Sequence, residues 1–188
     1  MTTPAIILGI LFVLCLTSSV VPRSVGLVRA DDKPSQKVWI PVMFGLSQGI
    51  MALLGFFLSR LMAHLFTYIA VYMVFAMMLV VAVKLFVDSI RILKGKMLYT
   101  VSSDKDIMLL TLIAAVNTFL YGLVSVFFMP FGNWFFVAVT VAGFLWSFFT
   151  VRVEFAPGII KKVSFIEFAA AVFMVIIAIL YLFTDLMK

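Results

Sequence analysis

Six stretches of this chain leave little choice of solvent. A helix that crosses a hydrocarbon core of about 30 Å needs roughly 20 consecutive apolar residues. Runs of that kind occupy Ile6–Val28, Val38–Leu58, Leu65–Val87, Ile107–Phe128, Trp134–Val151 and Phe165–Phe183. Composition bears on the same point: 65% of the residues are hydrophobic and 12% are charged, whereas a water-facing domain carries about 25% charged residues. The expectation is an all-α, polytopic membrane protein of six transmembrane helices, one integral membrane domain over residues 1–188, with the lipid bilayer as its main partner. The first run lacks the basic flank and small-residue cleavage site of a signal peptide, so it reads as a retained helix.

The basic residues give the orientation. Arg29, Lys33 and Lys37 follow the first run, Arg91, Lys94, Lys96 and Lys105 the third, and Arg152, Lys161 and Lys162 the fifth. The opposite side holds only Arg60 and Lys188, a ratio of ten to two. Basic loops stay cytoplasmic, so both termini are expected outside, periplasmic if the chain sits in a bacterial inner membrane. The net charge of +6 is then accounted for by topology and contacts to anionic headgroups, and nucleic acid is not expected as a partner. The polar stretch 94–106 divides the chain into a first half, 1–93, and a second, 107–188, of three spans each. Two related halves with an odd number of spans lie in opposite orientations, the inverted repeat of many secondary transporters. Both halves open with a helix that is polar at its centre: Thr17-Ser18-Ser19 in one, Asn117-Thr118 in the other.

Polar groups inside a membrane are costly unless paired, so they mark the bundle interior. In the first span Pro22 removes a backbone donor, predicting a kink near Ser18 and a freed carbonyl beside three hydroxyls. Arg23 is expected to snorkel to the headgroups. Gly45-Leu46-Ser47-Gln48-Gly49 is a GxxxG pattern that brings a second helix close, with Gln48 able to bond across the contact. Lys84 and Asp88 stand four residues apart on one helical face and largely neutralise each other. Lys161, Lys162, Ser164 and Glu167 read as an interfacial helix start. Trp39 and Trp134 fall at span ends, as an aromatic belt requires. His64, the only histidine, falls in a short outer link, and Cys15 reads as a small buried residue.

Several chemistries lack their residues. No His, Cys, Asp and Glu set has metal-ligand spacing, no catalytic triad can be assembled around His64, and no glycine-rich phosphate loop occurs. An enzyme, a metal centre and a cofactor are therefore not expected. Nor does a titratable group fall near the membrane midplane, which argues against proton coupling.

The order of features resembles the MntP-type manganese efflux pumps, relatives of the LysE superfamily, over nearly the whole length. The matching residues are Ser24-Val25-Gly26, Lys33-Pro34, Phe44-Gly45, Leu54-Gly55, the segment Lys84-Leu85-Phe86-Val87-Asp88-Ser89-Ile90-Arg91, Asn117 with Gly122, and Lys161-Lys162. The resemblance implies an ion-transporting, six-span exporter whose cation path is lined by acids in spans one, two and four. At those positions this chain has Ser19, Gln48 and Asn117. Hard cations bind best to charged oxygens, and Arg23 and Lys84 lie on nearby helices, so the central potential is expected to be positive or neutral.

Two functions follow. One is a transporter on the manganese-exporter plan that has diverged from manganese or lost activity toward it, with Ser19, Gln48, Asn117 and Thr118 binding a divalent cation or a small polar solute, and Arg23, Lys84 and Asp88 setting the local charge. The other is a non-transporting structural or assembly subunit, partnered by other membrane proteins or by a second copy.

Overall fold

The computed structural model describes residues 3–25, 27, 36–95, 104–129, 132–153 and 157–186. The basic residues Arg29, Lys33, Lys96 and Lys188, and the motif residues Gly26 and Pro34, lie outside them. Among the described residues the regular structure is helical throughout. Helix α1 (Thr3–Thr17) passes through a 3₁₀ turn (Ser18–Val20) into α2 (Val21–Ser24). Helix α3 spans Gln36–Phe66 and a 3₁₀ turn at Thr67–Ile69 leads to α4 (Ala70–Leu93). Then come α5 (Asp104–Ala114), α6 (Val116–Gly122), α7 (Phe135–Thr150) and α8 (Pro157–Leu186).

Five of the resulting segments are long and apolar enough to cross a membrane: Ile6–Ser24, Val38–Leu65, Thr67–Leu93, Gly132–Thr150 and Gly158–Phe183. A sixth is added if α5 and α6, bent by 42° at their junction, count as one span. The chain is thus a membrane-embedded helical bundle. Two boundaries differ from the sequence expectation. Helix α3 runs on through Arg60 and His64, which therefore belong to the helix and not to a link, because the turn falls only at Thr67–Ile69. Helix α8 starts at Pro157, well before Phe165; a proline suits the first helical turn, where its missing N–H has no intrahelical partner to lose.

The spans are not equivalent. In Ile6–Ser24, 67% of residues are buried, against 28% in Thr67–Leu93, so the first span runs through the interior and the third along the rim. Helix α4 shows how the rim is made. Its buried residues Val74, Met78, Val81, Leu85, Asp88 and Ile92 recur every three or four positions, forming one helical face. Val80, Val83, Phe86 and Val87 point outward and are exposed, as residues facing acyl chains should be.

Helix α4 packs chiefly on α8, and α3 on α7 and α6. Small residues set the second contact. A Cβ placed on Gly45 would come within 2.8 Å of the Thr140 carbonyl, and one on Gly55 within 2.8 Å of the Gly122 Cα. Backbones this close gain dispersion contacts that lipid cannot match, the usual source of helix association in a membrane. The GxxxG segment is thus a packing surface toward α7. Serines clasp the other pair: Ser89 Oγ donates to the Ser164 carbonyl at 2.9 Å, and Ser164 Oγ donates to the Ser89 carbonyl at 3.0 Å.

Candidate functional site: a buried polar centre

The interior span is broken where its prolyl residue demands it. Pro22 cannot donate to the Ser18 carbonyl, so the Val21 N–H takes that acceptor in a tighter 3₁₀ bond. The α-helical pattern is interrupted by the 3₁₀ turn at Ser18–Val20, but the Ser18 carbonyl is not free, a correction to the expectation drawn from Pro22. Thr17 Oγ1 and Ser18 Oγ also turn back onto their own helix, donating to Val13 O and Cys15 O at 2.9 Å each.

Ser19 does something different. Its hydroxyl donates across the bundle to the Ala114 carbonyl at 2.6 Å, the last residue of α5. Helix α5 ends there, Ala115 takes φ −84° and ψ 0°, and α6 resumes at Val116. No proline or glycine stands at this break; a side chain inserted into the helical hydrogen-bond ladder is an established cause of a kink, and Ser19 is placed to act so. The two polar helices singled out in the sequence are thus both interrupted, and one hydrogen bond joins the interruptions.

Charged residues gather beside this junction. Arg23, 3% exposed, does not reach the headgroups as expected. Its Nη1 donates to the Ser19 carbonyl at 2.7 Å and its Nη2 to Asp88 Oδ2 at 3.1 Å. The reason is burial: with α2 enclosed by α5, α7 and α8, the side chain has no route outward, and only a carboxylate can offset its desolvation. Lys84 Nζ reaches the same Asp88 oxygen at 3.4 Å while staying a quarter exposed. The Lys84–Asp88 pair is therefore one arm of a triad with Arg23 and not a self-contained unit.

Sequence reasoning missed Glu167. It was expected at an interfacial helix start, yet it is fully buried. With α8 beginning at Pro157, Glu167 lies about 15 Å along the helix axis at 1.5 Å per residue. The Pro157-Gly158 pair was the available signal for that earlier start. Glu167 Oε2 lies 3.5 Å from Ser18 Oγ, and its Oε1 has no partner. A titratable group therefore does sit deep in the bundle. Arg23, Lys84, Asp88 and Glu167 place two basic and two acidic groups here, so the centre is neutral when Glu167 is ionised and carries one positive charge when it is protonated.

Gln48 and Asn117 are likewise fully buried, and neither the nitrogen nor the oxygen of either amide has a hydrogen-bond partner. The two are consequently not bonded to each other or to Ser19. Gln48 lies against α7, its Cγ 2.7 Å from where a Cβ on Gly143 would stand. Its neighbour Ser47 donates to the Thr111 carbonyl of α5 at 3.1 Å, which holds α3 alongside the broken span. Thr118 is buried, but its hydroxyl is engaged with the Ala115 carbonyl at 2.7 Å. Ser147 on α7 adds another buried hydroxyl without a partner. Each orphaned buried polar group costs about 1–3 kcal/mol, so a set of them in one bundle is not explained by stability.

Among the described residues no three of His, Cys, Asp and Glu come together as a metal site. Cys15 is buried and unpaired. No family model, curated protein or solved structure matches the chain.

Proposed function

We propose that the chain is a six-span membrane carrier on the manganese-exporter plan, diverged from manganese, whose centre receives a small polar or zwitterionic solute. The observation that carries this reading is the Ser19–Ala114 bond between two interrupted helices, in a bundle that also buries the unpartnered amides of Gln48 and Asn117. Interrupted helices expose backbone dipoles at mid-bundle, and secondary transporters build their binding sites at such points. Amides offer both an acceptor and two donors, which suits a solute with groups of each kind. A bare divalent cation is less well served: Asp88 is already held by Arg23 and Lys84, and among the described residues Glu167 is the one further buried carboxyl.

The packing supports the inverted repeat. The second span pairs with the fifth, as α3 with α7, and the third with the sixth, as α4 with α8, while the two broken spans meet at Ser19. That is the pairing expected when two three-helix halves interlock head to tail. The resemblance to manganese exporters and the distribution of basic residues support a bacterial inner membrane with both termini periplasmic.

Reconstitution tests the reading. Vesicles holding the protein should take up a labelled small amino acid, and Gln48→Leu with Asn117→Leu should abolish the uptake. Manganese entry, read as quenching of an enclosed dye, should stay at the level of empty vesicles. Manganese entry through the wild-type protein would overturn the assignment of solute class.

A second reading, a non-transporting subunit, is favoured by one feature: an apolar groove of about 370 Å³ between α4 and α8, lined by Leu79, Val83, Phe86, Phe168, Val172 and Val175. It would be preferred if neither solute moved and the protein co-purified in fixed ratio with another membrane protein.

A further inference from the structure

A carboxyl group buried in a membrane bundle has two tolerable forms. As the neutral acid it needs hydrogen bonds; as the carboxylate it needs a cation. Glu167 has the means for both. Ser18 has one hydroxyl proton and two acceptors, the Cys15 carbonyl at 2.9 Å and Glu167 Oε2 at 3.5 Å. With that proton on the nearer carbonyl, the contact to Glu167 is filled when the carboxyl itself carries a proton and donates it to Ser18 Oγ. Such a proton fits the surroundings of Glu167, which has no ion pair among the described residues.

The cation for the other form is at hand. Arg23 Nη1 is bonded to the carbonyl of Ser19, the residue next to Ser18, whose hydroxyl touches Glu167. The Arg23 Nε and the Glu167 Oε1 are both buried without partners. The groups that face Glu167 from the packed elements are Cys15 on α1, Ser18 in the turn, Arg23 on α2, and Lys84 and Asp88 on α4. Of the two cations, only Arg23 belongs to the broken span. Lys84 can hold Asp88 alone, as its 3.4 Å contact shows, so releasing Arg23 does not strand Asp88.

We infer that Glu167 is a proton-binding site whose loading is coupled to the broken first span by exchange of Arg23 between Asp88 and Glu167. Protonated Glu167 leaves Arg23 on Asp88, the contact present in the structure. Breaking the carboxyl O–H bond, with the proton passing to water, leaves a carboxylate that draws Arg23 away from Asp88. Because Arg23 follows directly on Pro22, its move displaces the turn that carries Ser19, and with it the bond to Ala114. Proton transfer and the central junction thereby become linked. The proton site stands on the geometry of Glu167 alone; the coupling to solute rests on the carrier reading.

Infrared difference spectra of the reconstituted protein across a pH titration test the site directly. The wild type should show a carboxylic-acid carbonyl band that disappears reversibly as pH rises. Glu167→Gln should lack the band, and Glu167→Asp, which keeps an ionisable group, should retain one. Asp88→Asn removes the competitor for Arg23 and should displace the midpoint. A band unchanged in Glu167→Gln would overturn the site, and a midpoint indifferent to Asp88→Asn would overturn the exchange. In vesicles, an imposed pH gradient should drive amino-acid uptake by the wild type and not by Glu167→Gln. Uptake indifferent to the gradient would overturn the coupling and leave the carrier reading intact, whereas a titrating Glu167 without any uptake would do the reverse.

Discussion

Arg23 and Asp88, 65 residues apart in the chain, meet at 3.1 Å with both side chains almost wholly buried. The contact ties the broken first span to the third and places a positive charge where neither helix alone would tolerate one. A buried ion pair is weak evidence for stability, because desolvation offsets much of the attraction, but breaking it leaves an uncompensated charge.

Asp88→Ala should therefore be strongly destabilising, by about 3–5 kcal/mol, read as a lower unfolding temperature in detergent. Arg23→Met in the Asp88→Ala background should recover much of the loss, since the stranded charge is gone. Lys84→Met should cost less than Asp88→Ala, because Lys84 stays partly exposed and Asp88 keeps Arg23.

The amides should behave in the opposite sense. Replacing Gln48 or Asn117 by Leu removes polar atoms that have no partner, so each variant should be as stable as the wild type or more stable, by up to about 1–3 kcal/mol. Both should lose uptake. A loss of stability without effect on uptake would mean these residues pack and do not bind.

Glycine substitutions should separate packing from backbone effects. A Cβ at Gly122 would stand 2.7 Å from the Ala52 carbonyl, and backbone cannot yield cheaply, so Gly122→Ala should cost about 1–3 kcal/mol. At Gly158, in the first turn of α8, nothing lies within 4 Å; Gly158→Ala should be neutral or stabilising by about 0.5–1 kcal/mol. Thermal unfolding of the two variants in the same detergent measures the contrast.

Removing the Ser19 hydroxyl frees the Ala114 carbonyl. Ser19→Ala should cost about 1 kcal/mol and slow uptake, with faster amide exchange in the residues that follow Ala115 as the local signature. Unchanged exchange there would show that α5 and α6 part for reasons unrelated to Ser19.

Topology has a direct test. In a Cys15→Ala background, a cysteine at Tyr68, which is 99% exposed at the turn between α3 and α4, should react with an impermeant reagent added outside intact cells. A cysteine at Gly95, beyond the end of α4, should react only after permeabilisation. The reverse pattern would invert the proposed orientation.

The membrane character was legible because it is cumulative: transfer into lipid sums over some twenty residues, and small errors at the ends change little. The interruption of the helix after Thr17 was legible as well, since Pro22 acts on its own helix. Glu167 was not, because its depth depends on where α8 begins, and a polar Lys161-Lys162 pair draws the apparent boundary inward. Arg23 was misread for a related reason. Snorkelling is the cheaper outcome for a basic residue near a helix end, and only the enclosure of α2 by its neighbours closes that route.

What the amino-acid order determined by itself was the solvent of each segment, the helical state of the spans and the break at Pro22, all properties of neighbours along the chain. What only the tertiary structure decided was which buried polar groups meet. Ser19 with Ala114, Arg23 with Asp88 and Ser18 with Glu167 are separated by between 65 and 149 residues. In an apolar interior the energy of a polar group depends on its partner within about 3 Å, and no local pattern supplies that partner.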